Sequence, residues 1–250
     1  MPAEPRGLGG DEQPGRAEAA DSTERAAAAA EPDFVPLRFI ERPPEEMLSR
    51  ATAFHEAMAG RRTTRHFSDA PVPKRLIELA VQTAGTAPSG AHLQPWTFVA
   101  VSDQAVKRRI RTAAEQEEKR FYEERLQAAW REVLEPLGTD HVKRHITDAP
   151  WVVVLFRHTR RLRPNGEIAP TYYSQESCGI AAGLFIAAIH DMGLVTLTHT
   201  PSPMGFLRRI LDRPELESAM LLMPVGHPAE NAMVPDLRRK ALSDILRFIE

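Results

Sequence analysis

The sequence predicts an α/β or α+β sandwich with a mixed sheet, on three observations. Segments of helical and of strand pattern alternate along the chain. Residues 151–156 and 219–225 are continuous apolar runs, typical of strands buried on both faces. Residues 174–192 are apolar nearly all round, as a helix at the centre of a domain is. With 250 residues and a hydrophobic fraction of 42%, the chain can bury a sizeable core in one domain and still carry a tail.

The elements follow in order. Residues 1–33 are rich in Ala, Gly, Pro and Glu, and Phe34 is the first aromatic. Such a segment cannot bury enough apolar surface to offset its ordering entropy, so a disordered tail is expected, with transient helix at most around residues 26–30. Globular patterning begins at Pro43. Met47, Leu48, Ala51, Phe54 and Met58 recur at helical spacing. Residues 68–73 read as a turn whose Pro73 suits the first position of a helix, and Leu76, Ile77, Ala80, Val81 and Ala84 then form an apolar stripe. A loop with two prolines and Gly90 spans 87–95 and leads into a strand at 96–101. A long helix, charged on most faces, is expected from about Asp103 as far as Pro136. The strand at 151–156 and the central helix at 174–192 follow, and Gly193 suits that helix's end. Residues 194–198 have strand character, 206–211 form a short helix, and 219–225 a buried strand. Residues 236–250 read as an arm that ends in a short helix. There is no internal repeat.

Composition excludes several function classes. A net charge of −2 leaves no basic excess to release counterions from nucleic-acid phosphates. Cys178 is the single cysteine, so an intrachain disulfide is impossible and no metal site is expected; its apolar neighbours mark it as a small buried hydrophobe. No apolar run is long enough to span a bilayer. The N-terminus lacks the apolar region of a signal peptide, and a cytoplasmic location is expected.

Two motifs carry the chemistry. Arg61-Arg62-Thr63-Thr64-Arg65 gathers three guanidiniums and two hydroxyls in five residues, a set that can grip a phosphate bidentately. Read alone, such a run is more often a solvated basic turn. Ala87-Pro88-Ser89-Gly90-Ala91-His92, followed by Gln94-Pro95-Trp96, offers free backbone amides and a glycine that lets the backbone approach a flat ligand. Read alone, it is an ordinary loop before a strand.

Taken together, in this order and spacing, the two motifs resemble the start of the nitroreductase superfamily. Thr83-Ala-Gly-Thr-Ala-Pro-Ser-Gly-Ala-His92 resembles its iodotyrosine deiodinase branch. So do Tyr172-Tyr173, Gly193-Leu-Val-Thr-Leu-Thr-His-Thr-Pro201, Leu222-Met-Pro-Val-Gly226 and Val234-Pro-Asp-Leu-Arg-Arg-Lys240. The likeness covers residues 57–248 and leaves out the tail.

The resemblance implies a three-layer α+β fold with a mixed central sheet over residues 34–250, assembled as an intertwined homodimer with FMN at the subunit interface. It implies a lid at about 113–146 and a C-terminal arm at about 232–250 that crosses to the partner. Arg61, Arg62, Thr63, Arg65 and Arg239 match positions that bind the FMN phosphate and ribityl chain. Pro88, Ser89 and Gly90 match the loop along the flavin, and the Ala91 amide matches the donor to a substrate phenolate. Thr198 and Thr200 match the strand end at the flavin, Thr200 beside N5. Glu118, Tyr122 and Lys143 match the lid residues that bind a zwitterion; Glu118 and Tyr122, four apart, share one helix face. His199 carries no role from the resemblance. The implied reaction is reductive dehalogenation of halogenated tyrosine, with NAD(P)H or a reductase as electron donor. The alternatives are a broad NAD(P)H-dependent nitroreductase or quinone reductase, which lacks such a lid, and a flavin-binding protein without turnover.

Overall fold

The computed structural model describes residues 33–250, so the disorder expected for the tail falls, but for Asp33, outside the described residues. Residues 33–43 have neither helix nor strand, and residues 44–250 form a compact unit of their own. That unit begins with helices α1 (Pro44–Gly60) and α2 (Lys74–Gly85), strand β1 (Trp96–Val101) and helix α3 (Gln104–Arg120). Two short helices follow, α4 (Ala128–Leu134) and α5 (His145–Asp148), then strands β2 (Trp151–His158), β3 (Arg160–Leu162) and β4 (Ile168–Pro170). The chain closes with α6 (Ser174–Asp191), β5 (Val195–Thr196), α7 (Gly205–Ile210), β6 (Glu217–Gly226) and α8 (Leu242–Ile245).

The central sheet has the strand order β1-β2-β6-β5, every neighbouring pair antiparallel. Among the described residues the parallel component comes from one bridge, Thr63 to Thr196, which lays the arginine-rich segment along β5. β3 and β4 form a separate hairpin.

The apolar run in β2 is explained by the layers. Side chains of a strand alternate between faces. Val153 and Leu155 join Ile77, Ala80, Phe185, Ile189 and Met223 beneath α2 and α6. Val152, Val154 and Phe156 join Ile110, Ile146, Phe206, Leu207 and Leu222 beneath α3, α5 and α7. Helices on both faces therefore make three layers.

Among the described residues, two helices keep an apolar face uncovered. None of the α1 side chains is buried: Met47, Leu48 and Phe54 are all more than half exposed. α6 buries Cys178, Ala182, Phe185 and Ile189 but leaves Gly179, Ile180 and Gly183 open.

The long helix expected from Asp103 to Pro136 is broken, a correction. It begins as read, with the Asp103 carboxylate accepting from Val106 N at 2.8 Å. After Arg120 it passes into a π-helical turn, Phe121–Arg125, and Leu126 and Gln127 turn extended before α4. The cause is the aromatic packing of Phe121 edge-on against Trp130, with ring centroids 5.0 Å apart. A straight helix would hold residues 121 and 130 far apart along its axis, because each residue advances the helix by about 1.5 Å.

Candidate active site

The site is built along the β5 edge of the sheet. Beyond Thr196 the chain continues beside β6, held by the reciprocal backbone pair His199–Leu222 at 2.9 Å each way. On β5's other side, the Thr63–Thr196 bridge fixes the residues after α1. Thr64 turns into the core, and Arg61, Thr63 and Arg65 face outward on the alternate positions.

The arm at the C-terminus completes this basic group. Arg239 donates to the Ala59 carbonyl at 2.8 Å and to the Arg61 carbonyl at 2.6 Å, and Arg62 donates to the Pro235 carbonyl. Arg239 thus sits in its own chain's arginine cluster. Arg61, Arg62, Thr63, Arg65 and Arg239 line one cavity of about 240 Å³. Among the described residues no carboxylate forms an ion pair with any of these four arginines. Burial, then the charges of Arg239 and Arg62, push Arg61 below its ordinary value. Guanidiniums gathered in this way can accept a phosphate, whose charge would relieve their mutual repulsion.

Next to it lies a larger cavity of about 600 Å³, sharing Arg65. Its floor is Thr198, His199 and Thr200; its roof is the broken-helix region, with Glu118, Phe121, Tyr122, Trp130 and Lys143. The three lid residues read from the sequence therefore meet over the two threonines. Lys143 Nζ lies 3.1 Å from Glu118 Oε2 and 5.8 Å from the centre of the Tyr122 ring. Lys143 is only 5% exposed. Its backbone N–H donates to Glu115 Oε1 at 2.9 Å, and the same oxygen accepts from Arg111, so the lid's return segment is tied to α3. The Tyr122 hydroxyl is bonded to Thr139, and burial raises its pKa. Arg125 donates to the carbonyls of Glu117 at 3.1 Å and Ser202 at 3.3 Å, joining the π turn to the floor.

Two residues given no role in the sequence reading belong to this site. His199, 8% exposed, places Nε2 3.4 Å from Glu118 Oε1. Its Nδ1 is 3.4 Å from Nε2 of His145, which is 5% exposed. Burial alone would raise the Glu118 pKa; the His199 hydrogen bond and the Lys143 charge outweigh it and hold the carboxyl below its usual range. The only sequence signals were a histidine set between two threonines and another two residues after Lys143.

The loop 88–91 stands elsewhere. It precedes β1, at the opposite edge of the sheet, three strand spacings or roughly 14 Å from the chain segment of Thr198. Ala91, His92 and Gln94 all have positive φ, at 50°, 52° and 46°. Such conformations cost about 1–3 kcal/mol each in non-glycine residues and cluster at functional sites. A side chain at Gly90 would meet the Tyr173 ring at 2.9 Å and the Tyr172 carbonyl at 3.0 Å. The close approach that Gly90 permits within this chain is therefore to the N-terminal end of α6. Gly90 N also donates to the Ser177 hydroxyl at 3.3 Å.

A helix-flanked sheet with an arginine cluster at one edge and an aromatic-roofed pocket beside it is the layout of an oxidoreductase of the nitroreductase fold. The chain belongs to the Nitroreductase family, which it matches over residues 58–227. It is 53% identical over 209 residues to an iodotyrosine deiodinase of Haliscomenobacter hydrossis, covering 84% of this chain and 94% of that one. It is 40% identical over 215 residues to iodotyrosine deiodinase 1 of Homo sapiens, covering 86% of this chain and 74% of that one. Among solved structures it superposes with a TM-score of 0.68 on oxidized iodotyrosine deiodinase bound to FMN and 3-iodo-L-tyrosine, at 25% identity, covering 79% of this chain and 99% of that one. No helix among the described residues is long and apolar enough to cross a membrane.

Proposed function

We propose that this protein is an FMN-dependent reductive dehalogenase of halogenated tyrosines. The observation that carries the reading is the meeting of Glu118, Tyr122 and Lys143 over Thr198 and Thr200 in one cavity. The relatives named as iodotyrosine deiodinases support it.

The residues fit FMN. Arg61, Arg62, Arg65 and Arg239, with the Thr63 hydroxyl, would hold its phosphate and ribityl chain, and Thr198 and Thr200 would meet its ring system. When bound and reduced, FMN supplies the two electrons that, with one proton, replace a carbon–iodine bond by carbon–hydrogen and release iodide.

The chain's own residues read the substrate. Glu118 binds the ammonium and Lys143 the carboxylate of the amino-acid arm, while Tyr122, with Phe121 and Trp130, covers the ring. Glu118 and Lys143 are paired with each other when no substrate is present. A zwitterion divides that pair into two new ones, so neither buried charge is left alone. Closure over the arm excludes water from the reacting ring. The Ala91 amide donates to the phenolate oxygen.

Ala91 lies at the wrong edge of its own sheet for this, and a second copy of the chain solves the geometry. The loop 88–91 of one copy then completes the site built on residues 61–65 and 198–200 of the other. The uncovered faces of α1 and α6 support such a homodimer, since apolar patches of this kind mark contact surfaces.

The test is binding. 3-Iodotyrosine added to the oxidised, FMN-loaded protein quenches flavin fluorescence at micromolar concentration, and a nitroaromatic does not. The reverse preference would favour the broad nitroreductase. NAD(P)H or a reductase serves as electron donor, and stopped-flow reduction with each tells them apart.

A further inference from the structure

Glu118 has two partners of different kinds. Lys143 reaches it from the lid's return segment, and His199 from the floor. If Glu118 is to receive an ammonium, Lys143 must leave it for the substrate carboxylate. His199 need not move, because it is anchored by both of its backbone bonds to Leu222.

The hydrogen positions follow from the chemistry of the line. An ionised Glu118 only accepts, so His199 Nε2 carries the hydrogen. The charged groups facing the two imidazoles are Glu118 and Arg111 from α3, Lys143 from the segment before α5, and Arg65 from the segment after α1. Burial is the largest influence on both rings: it outweighs the pull of Glu118 and holds His199 below its ordinary value, and it pushes His145 down to about 2, so the line is that of neutral imidazoles. A neutral His199 with hydrogen on Nε2 has a bare Nδ1, and this must accept from His145 Nε2–H. The line therefore has one direction, from His145 through His199 to Glu118. His145 is packed edge-on to His199, at 82° and 5.1 Å between centroids, which leaves the His199 ring no freedom to flip without losing both bonds.

We infer that His199, backed by His145, is a positioning residue that holds Glu118 toward the substrate's ammonium group while Lys143 changes partner. It is thereby a determinant of selectivity for amino-acid-bearing phenols over bare ones. Thr198 and Thr200 flank His199 in the chain, so the same segment that meets the cofactor fixes the group that reads the amino-acid arm. This rests on the halotyrosine reading above.

The experiment compares kcat/KM for 3-iodotyrosine and for 2-iodophenol, the same ring without its arm, in the FMN-loaded full chain with dithionite as reductant. His199→Asn keeps an amide near the Nδ1 position but cannot reach Glu118; His199→Gln places a donor near Nε2. A lost hydrogen bond to a charged group predicts that His199→Asn lowers the ratio of the two kcat/KM values about tenfold or more, through KM for iodotyrosine. His199→Gln restores most of it. Nitrogen-15 spectra of the wild type show both rings with hydrogen on Nε2. An unchanged ratio in His199→Asn overturns the inference, as does an equal loss for both substrates, which marks a purely structural histidine. A wild type that shows no preference for iodotyrosine overturns the halotyrosine reading itself, and the inference with it.

Discussion

The floor and the roof of the site are built by different means. The floor is backbone: Thr198, His199 and Thr200 run beside β6, and the arginine segment is bridged to β5 at Thr196. The roof is mostly side chains: a broken helix whose Glu118, Tyr122 and Lys143 are held by an ion pair, a ring contact and hydrogen bonds to His199, Thr139 and Glu115. Backbone pairing within a sheet fixes positions before any ligand arrives, whereas a single ion pair can be exchanged for another of similar energy. The floor thus suits a cofactor that stays, and the roof a substrate that comes and goes.

The largest expected effect is on the floor. Truncation after Pro235 removes Arg239 from the arginine cluster and abolishes FMN binding, read from flavin absorbance after gel filtration. Retained yellow colour would show that the arm is dispensable and that the floor needs only residues 61–65.

On the roof, Glu118→Gln leaves one charge of the zwitterion unpaired and weakens halotyrosine binding by about 2–5 kcal/mol, and Lys143→Ala does the same. FMN content stays at the wild-type level in both. Titration by fluorescence quenching checks this. A loss of FMN in either variant would erase the distinction between floor and roof.

Acid sensitivity separates the two regions next. His145 is pushed down to about 2 from its ordinary 6.5 by burial, then by His199, Lys143, Arg65 and Arg111. The unfolded chain binds a proton there near pH 6.5 and the folded chain does not. Stability is therefore full above that pH and falls below it, by up to about 1.4 kcal/mol per pH unit for each such imidazole. Urea midpoints at pH 7 and 5.5 show the loss in wild type, and His145→Gln makes the slope shallower. An unaltered slope would mean that this imidazole titrates freely in the fold.

The smallest effect is expected at the seam. Arg125→Ala removes two donations to backbone carbonyls, of Glu117 and Ser202, each worth about 0.5–1.5 kcal/mol net. Halotyrosine dissociation in stopped flow then quickens several-fold with little change in FMN affinity. Unchanged dissociation would show that the π turn closes without this latch.

The sequence was most informative where one period or one motif decides. The run at 151–156 and the apolar helix at 174–192 appear as β2 and α6, because complete burial leaves a continuous apolar signature. The lid residues were placed by resemblance, and the structure brings all three together. The break at Leu126–Gln127 was illegible, because no Gly or Pro interrupts 104–135 and the bend comes from ring packing between Phe121 and Trp130. His145 and His199 were illegible for a related reason. They are 54 positions apart, and only the folding of α5 against the β5 edge makes them neighbours. The sheet's parallel bridge, at Thr63, lay inside a segment whose charges dominated its reading.

The division between a fixed floor and an exchanging roof is tested most directly by single turnover. FMN-loaded protein is reduced with dithionite under anaerobic conditions, freed of excess reductant, and mixed with 3-iodotyrosine. The expected result is one tyrosine and one iodide per FMN reoxidised in the wild type, with the rate at saturating substrate nearly preserved in Glu118→Gln. Reoxidation by a nitroaromatic but not by iodotyrosine would contradict it.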